Sequence, residues 1–174
     1  LILEQFYPKE WLDSTYEISW EEWYAKGIRG VIFDVDNTLV RHDEPADERA
    51  IALFRRLHRM GMKTCLLSNN KEPRVASFAK QVESLYIYKA GKPSVKNYYR
   101  AMELMGTTKE QTLFVGDQLF TDVYGANRAG IYGILVKPIH PKEEIQIVLK
   151  RYLEAIVLHF YEKELRDKQG DVRQ

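Results

Sequence analysis

The sequence predicts an α/β fold built on a parallel sheet, on three observations. Short apolar runs alternate with stretches of helical periodicity, the pattern of βαβ units joined by right-handed crossovers. Prolines and glycines punctuate these stretches: Pro45, Pro73 and Pro93 near helix starts, Gly61 and Gly106 past helix ends. Two apolar runs, VIFDVD at 31–36 and LFVGD at 113–117, end in aspartates. Carboxylates beside a hydrophobic core are costly unless a cation or hydrogen-bond donors compensate them, so these two chain positions ask for a functional explanation.

Residues 1–27 are rich in aromatics (Phe6, Tyr7, Trp11, Tyr16, Trp20, Trp23, Tyr24) and read as an N-terminal extension packed on the core. Ser19 with Glu22 fits a capping box and Ile18 a hydrophobic staple, opening a short helix that Gly27 ends. A catalytic core over 28–138 comes next. Its first strand spans 28–34, and Pro45 opens a helix with Leu53, Phe54, Leu57 and Met60 on one face. The second strand is 63–67 and is followed by a helix over 73–82. A short third strand lies in 84–89, and Pro93 opens a helix carrying Val95, Tyr98, Tyr99, Met102 and Met105. The fourth strand is 112–115, a helix covers 121–129, and the fifth strand is 133–136. Pro141 then opens a long helix to about 168. Its stripe Ile145, Val148, Leu149, Tyr152, Ile156 and Phe160 reads as the face that docks on the rest of the chain. No repeat, low-complexity linker or composition break divides the chain, so residues 1–174 read as one domain.

The chain has 174 residues, 45% hydrophobic and 29% charged, as in ordinary globular proteins. A net charge of +1 argues against nucleic acid as a partner. The single cysteine, Cys65, lies in the apolar run KTCLLS. It permits no intrachain disulfide and reads as a buried packing residue, in keeping with a reducing, cytoplasmic location. No signal-peptide pattern and no bilayer-length apolar stretch is visible, while the aromatic N-terminus leaves room for peripheral membrane contact. His42, His58, His140 and His159 show no metal-ligand spacing, and His58 reads as a surface residue.

In open α/β sheets ligands bind outside the carboxyl ends of the strands, so the residues just past each strand form the candidate site. The first strand ends in Asp34-Val35-Asp36-Asn37-Thr38 and the second in Ser68-Asn69-Asn70. Gly91-Lys92-Pro93 comes after the third, and the fourth ends in Gly116-Asp117 with Asp122 five residues on. Carboxylates, a hydroxyl and one lysine together suit phosphoryl chemistry with a divalent cation. Asp34 has the place and type of a carboxylate nucleophile. In an extended chain Asp36 projects to the same side, as a general acid and then base. Ser68 and Asn69 are candidate phosphate contacts, and Lys92 a neutraliser of phosphoryl charge. Mg²⁺ wants oxygen ligands, which Asp34, Asp36 (through a nearby carbonyl), Asp117 and Asp122 offer. Asn37 and Thr38 read as turn and scaffold residues; Asn70, Lys71, Arg74 and Arg41 flank the mouth.

These motifs, Asp-x-Asp-x-Thr, strand-end Ser, Gly-Lys-Pro and Gly-Asp-x4-Asp, resemble the motif set of the haloacid dehalogenase superfamily over about residues 28–138. The resemblance implies a Rossmann-like three-layer sandwich of about five parallel strands in the order 3-2-1-4-5. It also implies Asp34 as nucleophile, Asp36 as acid/base, Ser68 and Lys92 as phosphoryl ligands, and Asp117 on Mg²⁺. Dehalogenating members lack the second aspartate, so Asp36 favours phosphoryl transfer. FYPKEW, GIRGVIFDVDNTLV, LLSNN, GKP and VGDQLFTDVYGANRAG look like the YqeG-type family of subclass IIIA phosphatases, whose mitochondrial relatives are phosphatidylglycerophosphate phosphatases. The expected enzyme is therefore a Mg²⁺-dependent phosphatase working through an aspartyl-phosphate, with phosphatidylglycerophosphate among its candidate substrates. The segments 40–62 and 70–92, where this superfamily inserts caps, are too short for one. A receiver domain fails, because its lysine would come after the fifth strand. A phosphotransferase and a non-catalytic scaffold on the same fold are the alternatives.

Overall fold

The computed structural model describes residues 2–140 and 145–171. At its centre lies β2 (Gly30–Phe33), in which all four residues are buried, as a parallel strand covered on both faces requires. Successive side chains point to opposite faces. Val31 and Phe33 join Phe54, Leu57, Leu66, Phe78 and Val115 on one side, and Ile32 joins Cys65, Leu67, Tyr98, Met102 and Phe114 on the other. Helices α2 (Glu48–Arg59) and α3 (Glu72–Val82) cover the first face; α4 (Lys96–Met105) and α5 (Tyr124–Ala129) cover the second.

The other strands are β1 (Glu10–Leu12), β3 (Lys63–Leu67), β4 (Leu85–Ile87), β5 (Thr112–Gly116) and β6 (Tyr132–Val136). They form one six-stranded, all-parallel sheet in the order β1-β6-β5-β2-β3-β4. The five expected strands lie in the expected order; the sixth corrects the count. β1 comes from the N-terminal extension and runs beside β6, with Glu10 opposite Ile134 and Leu12 opposite Val136. It is three residues long and half-buried throughout, so it carries neither an apolar run nor an alternation. Its pairing is made by the edge of β6, through Lys9 N to Gly133 O (3.0 Å) and Lys137 N to Leu12 O (3.1 Å). The extension packs as expected, with Trp20 buried 5.8 Å from the ring of Phe33.

Several local expectations are corrected. Ser19 precedes α1 (Trp20–Ala25) but makes no side-chain cap bond, so the capping box does not form. α2 starts three residues after Pro45, because Asp47 accepts from Ala50 N at 2.8 Å and sets the N-terminus there. The segment expected to be helical from 121 begins as a π-turn, Leu119–Val123, before α5. His58 is half-buried rather than superficial; its Nε2 lies 2.8 Å from Thr64 Oγ1, and burial holds the imidazole below its usual range. Cys65 is fully buried and its thiol is pushed up to about 12 by that burial, which removes it from thiolate chemistry.

The long C-terminal helix, α6 (Ile145–Asp171), holds the largest surprise. Of the stripe expected to dock, Leu149, Tyr152, Ile156 and Phe160 are exposed, and the start at Pro141 lies outside the described residues. The docked face carries Arg151, Glu154, Val157 and Leu158 instead. Val157 packs with Leu119, Val123 and Leu135, while Glu154 and Arg151 meet groups that an apolar stripe would leave unpaired.

Candidate active site

The strand ends converge as the topology requires. Asp34 extends the ladder by one residue past β2, its amide donating to Val115 O at 2.9 Å. The chain then turns sharply: Asn37 sits at φ 61°, a conformation that asparagine tolerates, and its amide donates to Val40 O at 2.7 Å. That turn buries Thr38, whose hydroxyl lies 3.1 Å from Asp117 Oδ1 and 3.3 Å from Asp34 Oδ2. Asn37 and Thr38 thus shape the site as scaffold, and Thr38 ties its two strand-end acids together.

Lys92 enters from the segment after β4, and its Nζ donates to Asp34 Oδ1 at 2.9 Å and to Asp122 Oδ1 at 2.7 Å. Asn69, expected as a phosphate contact, turns both ends of its amide to the backbone of Lys92, accepting from N at 2.9 Å and donating to O at 3.3 Å. Ser68 is buried beside it, its Oγ accepting from Asn70 N at 3.1 Å, which leaves the hydroxyl proton to donate.

The loop after β5 is built around Asp122, whose Oδ2 accepts from the amides of Asp117 (3.1 Å) and Gln118 (3.0 Å). This needs a glycine at 116, since a Cβ there would lie 2.5 Å from Asp122 Oδ2. Gly116→Ala is expected to push Asp122 off Lys92 and to cost about 1–3 kcal/mol, as overpacking does. Chemical denaturation should show it, and an unchanged midpoint would mean that Asp122 has room to move.

Asp34, Asp117 and Asp122 each bring an oxygen within 4.8 Å of the others, all buried. Burial pushes Asp34 up to about 6, with Lys92 opposing and Asp117 adding repulsion. Asp117 is likewise raised to about 6, by burial and then by Asp122, against the pull of Arg151. Asp122 is raised by burial and held back by Lys92. Burial by itself would lower Lys92, but Asp122 and Asp34 outweigh it and keep the ammonium charged. Three carboxylates against Lys92 and Arg151 leave an excess of negative charge.

Asp36 stands apart from this trio. The ladder ends at Asp34 and the chain turns at Asn37, and the Asp36 carboxylate accepts from Asp43 N (2.9 Å), Arg74 Nη2 (2.9 Å) and Asn70 Nδ2 (3.3 Å). Burial raises it, but these donors win and hold it below the usual carboxylate range. Arg74 and Asn70, two of the residues expected at the mouth, therefore meet Asp36.

Sequence reasoning missed three side chains. Tyr98, read only as core, donates its hydroxyl to Thr121 O (3.0 Å) and Asp122 O (3.1 Å), bracing the π-turn. The signal for it was Gly125, where a Cβ would fall 2.2 Å from that hydroxyl. Arg151 and Glu154 had no local signal.

Acids gathered at the carboxyl ends of an all-parallel sheet, around one buried lysine, define a class: a Rossmann-like hydrolase core. The chain belongs to the haloacid dehalogenase-like hydrolases, the family whose model matches residues 42–130, and it is a phosphatase of that superfamily. It is 38% identical over 154 residues, 88% of this chain and 90% of the other, to a protein of Bacillus subtilis described as probable phosphatase YqeG. It is 31% identical over 158 residues to phosphatidylglycerophosphate phosphatase 1 of Arabidopsis thaliana, covering 81% of this chain and 44% of that one. In fold it resembles the cobalt-bound deoxy-D-mannose-octulosonate 8-phosphate phosphatase of Haemophilus influenzae, with TM-score 0.51 and 17% identity over 65% of this chain and 80% of that one. Among the described residues, no helix is long and apolar enough to cross a membrane.

Proposed function

We propose that this site hydrolyses a phosphate monoester through an aspartyl-phosphate on Asp34. The observation that carries the reading is Asp34 itself, buried at a strand end, 2.9 Å from Lys92 Nζ and flanked by two further carboxylates. An oxygen of Asp34 attacks phosphorus, the bond from phosphorus to the leaving oxygen breaks, and Asp36 protonates that oxygen. Asp36 then takes a proton from water, whose oxygen attacks phosphorus and releases inorganic phosphate and the Asp34 carboxylate. At rest Asp36 is held ionised by the Asp43 amide and by Arg74, ready as a base. A phosphoryl dianion competing for the Arg74 guanidinium would free it to carry a proton as the acid. Ser68 and Lys92 face the phosphoryl oxygens.

The donor set fits Mg²⁺: oxygen atoms only, from Asp34, Asp117 and Asp122, with uncompensated negative charge among them. The carboxylate of Asp36 is taken up by its three donors, which leaves its neighbouring carbonyl as that segment's ligand. When bound, the cation would neutralise charge on the transferring group. A phosphotransferase would discharge Asp34 to another acceptor, and a scaffold would not need these groups in register.

For the substrate we favour a phosphomonoester on a lipid headgroup, as in phosphatidylglycerophosphate. Leu149, Tyr152, Leu153, Ile156 and Phe160 form an exposed apolar stripe on the helix whose Arg151 touches Asp117. The two cap-insertion segments hold only α2 in one, and α3 with β4 in the other. An exposed apolar face on a helix that itself touches the site, with no cap inserted over that site, suits a phosphate presented at a lipid surface. Release of inorganic phosphate from a panel of lipid phosphates in mixed micelles and soluble phosphomonoesters tests this. Lipid turnover is expected to exceed soluble turnover by about tenfold or more; efficient soluble turnover without lipid turnover would remove the lipid reading.

A further inference from the structure

From the way α6 meets the loop after β5, we infer that the C-terminal helix is part of the metal centre, with Arg151 the positioning residue that holds Asp117. The guanidinium grips one residue at two points: Nη1 lies 2.5 Å from the backbone oxygen of Asp117 and Nη2 contacts its Oδ2. Glu154, buried one turn along the helix, accepts from Arg151 Nη1 at 3.0 Å with one oxygen and from Leu119 N at 3.1 Å with the other. Lys150 adds a bond to Gln118 Oε1 at 2.9 Å. The helix therefore clamps the loop with charged groups at its acid and at the two residues that follow it. Docking alone would need only Val157 and its apolar neighbours, and a buried carboxylate such as Glu154 is costly unless it has a task.

The two ends of the Asp117 carboxylate face different partners. Oδ2 belongs to Arg151, whereas Oδ1 lies 3.1 Å from the Thr38 hydroxyl that also reaches Asp34 Oδ2. Arg151 thus leaves the inward oxygen to the carboxylate trio and fixes the side chain's rotation against repulsion from Asp122. Arginine suits this role because its rigid fork can hold two acceptors at once, which a lysine cannot. Outer-shell partners of this kind typically change metal affinity by about 10- to 100-fold when removed.

The inference rests on Asp117 being a metal ligand, and the test separates the two. Mn²⁺ is titrated calorimetrically into the full chain without substrate, and metal-free thermal unfolding is followed in parallel. Wild type should bind, Asp117→Asn should lose binding, and Arg151→Ala should bind about tenfold or more weakly. Arg151→Lys, with charge but no two-point grip, should fall between Arg151→Ala and wild type. Tyr152→Ala, on the exposed side of the same helix, should match wild type. If Arg151→Ala does not fold, Arg151→Lys decides, and wild-type affinity there overturns the inference. Arg151→Ala binding as tightly as wild type, or more tightly as a competitor's loss would produce, also overturns it, as does an equal weakening in Tyr152→Ala. A wild-type chain that binds no Mn²⁺, or Asp117→Asn that binds it normally, overturns the metal assignment of Asp117 and the inference with it.

Discussion

Asp34→Asn is expected to lower kcat by roughly 10³-fold or more while the chain stays folded. The amide keeps the size of the carboxylate and can still accept from Lys92, but it cannot attack phosphorus. Asp34 makes its contacts to Lys92 and Thr38 through separate oxygens, so the substitution keeps one acceptor and turns the other end into a donor facing the Thr38 hydroxyl. Removing one buried negative charge among three relieves repulsion, so stability should not fall in parallel with activity. The wild-type pH profile should carry the same signature. Asp34 is raised to about 6 mainly by burial, and only its ionised form attacks, so kcat/KM should fall as pH drops through that region. A cation beside the carboxylate favours ionisation, so the midpoint should move to lower pH as Mg²⁺ is increased. A profile flat down to pH 4 at the lowest Mg²⁺ that supports turnover would contradict this assignment.

Lys92→Met is expected to be the most destabilising single change in the site, costing about 3–5 kcal/mol in the metal-free chain. Lys92 is the buried counter-charge of both Asp34 and Asp122, and methionine fills its stem without replacing the ammonium. Both acids would then titrate still further above their ordinary values in the folded state. The folded variant would bind more protons than the unfolded one across that window, so its deficit should shrink as pH falls from 8 toward 5. Divalent cation should recover part of the loss at pH 8 by taking over some of the neutralisation. Denaturant midpoints at the two pH values, with and without Mg²⁺, check both statements. A cost below about 1 kcal/mol at pH 8 would mean that the carboxylates are compensated from elsewhere.

How much could be read from the sequence depends on how local the signals are. Asp34, Ser68, Lys92, Asp117 and Asp122 each come just after an apolar run or within a Gly-Lys-Pro turn, and a parallel sheet brings such strand ends together by topology alone. Asp36 shows where that logic stops: the turn at Asn37 and the pull of Arg74, 38 residues on, redirect its carboxylate away from the trio. The edge strand β1 is made by its neighbour and not by its own three residues. The C-terminal helix is apolar on two faces, so periodicity could not choose between them. The choice is made by Arg151 and Glu154, which match an acid and an amide 34 and 35 residues away. Neither residue has a pattern of its own that marks it.

A phosphoryl group attached to Asp34 would be the most direct sign of the covalent route. An aryl phosphate has a leaving group that departs without protonation, so Asp36→Asn should still form the aspartyl-phosphate yet lack the base that discharges it. With radiolabelled aryl phosphate and Mg²⁺, rapid acid quench of Asp36→Asn should trap about one hydroxylamine-labile phosphate per chain, and Asp34→Asn should trap none. Label on Asp34→Asn equal to that on Asp36→Asn, or wild-type phosphate release by Asp34→Asn, would contradict the covalent route.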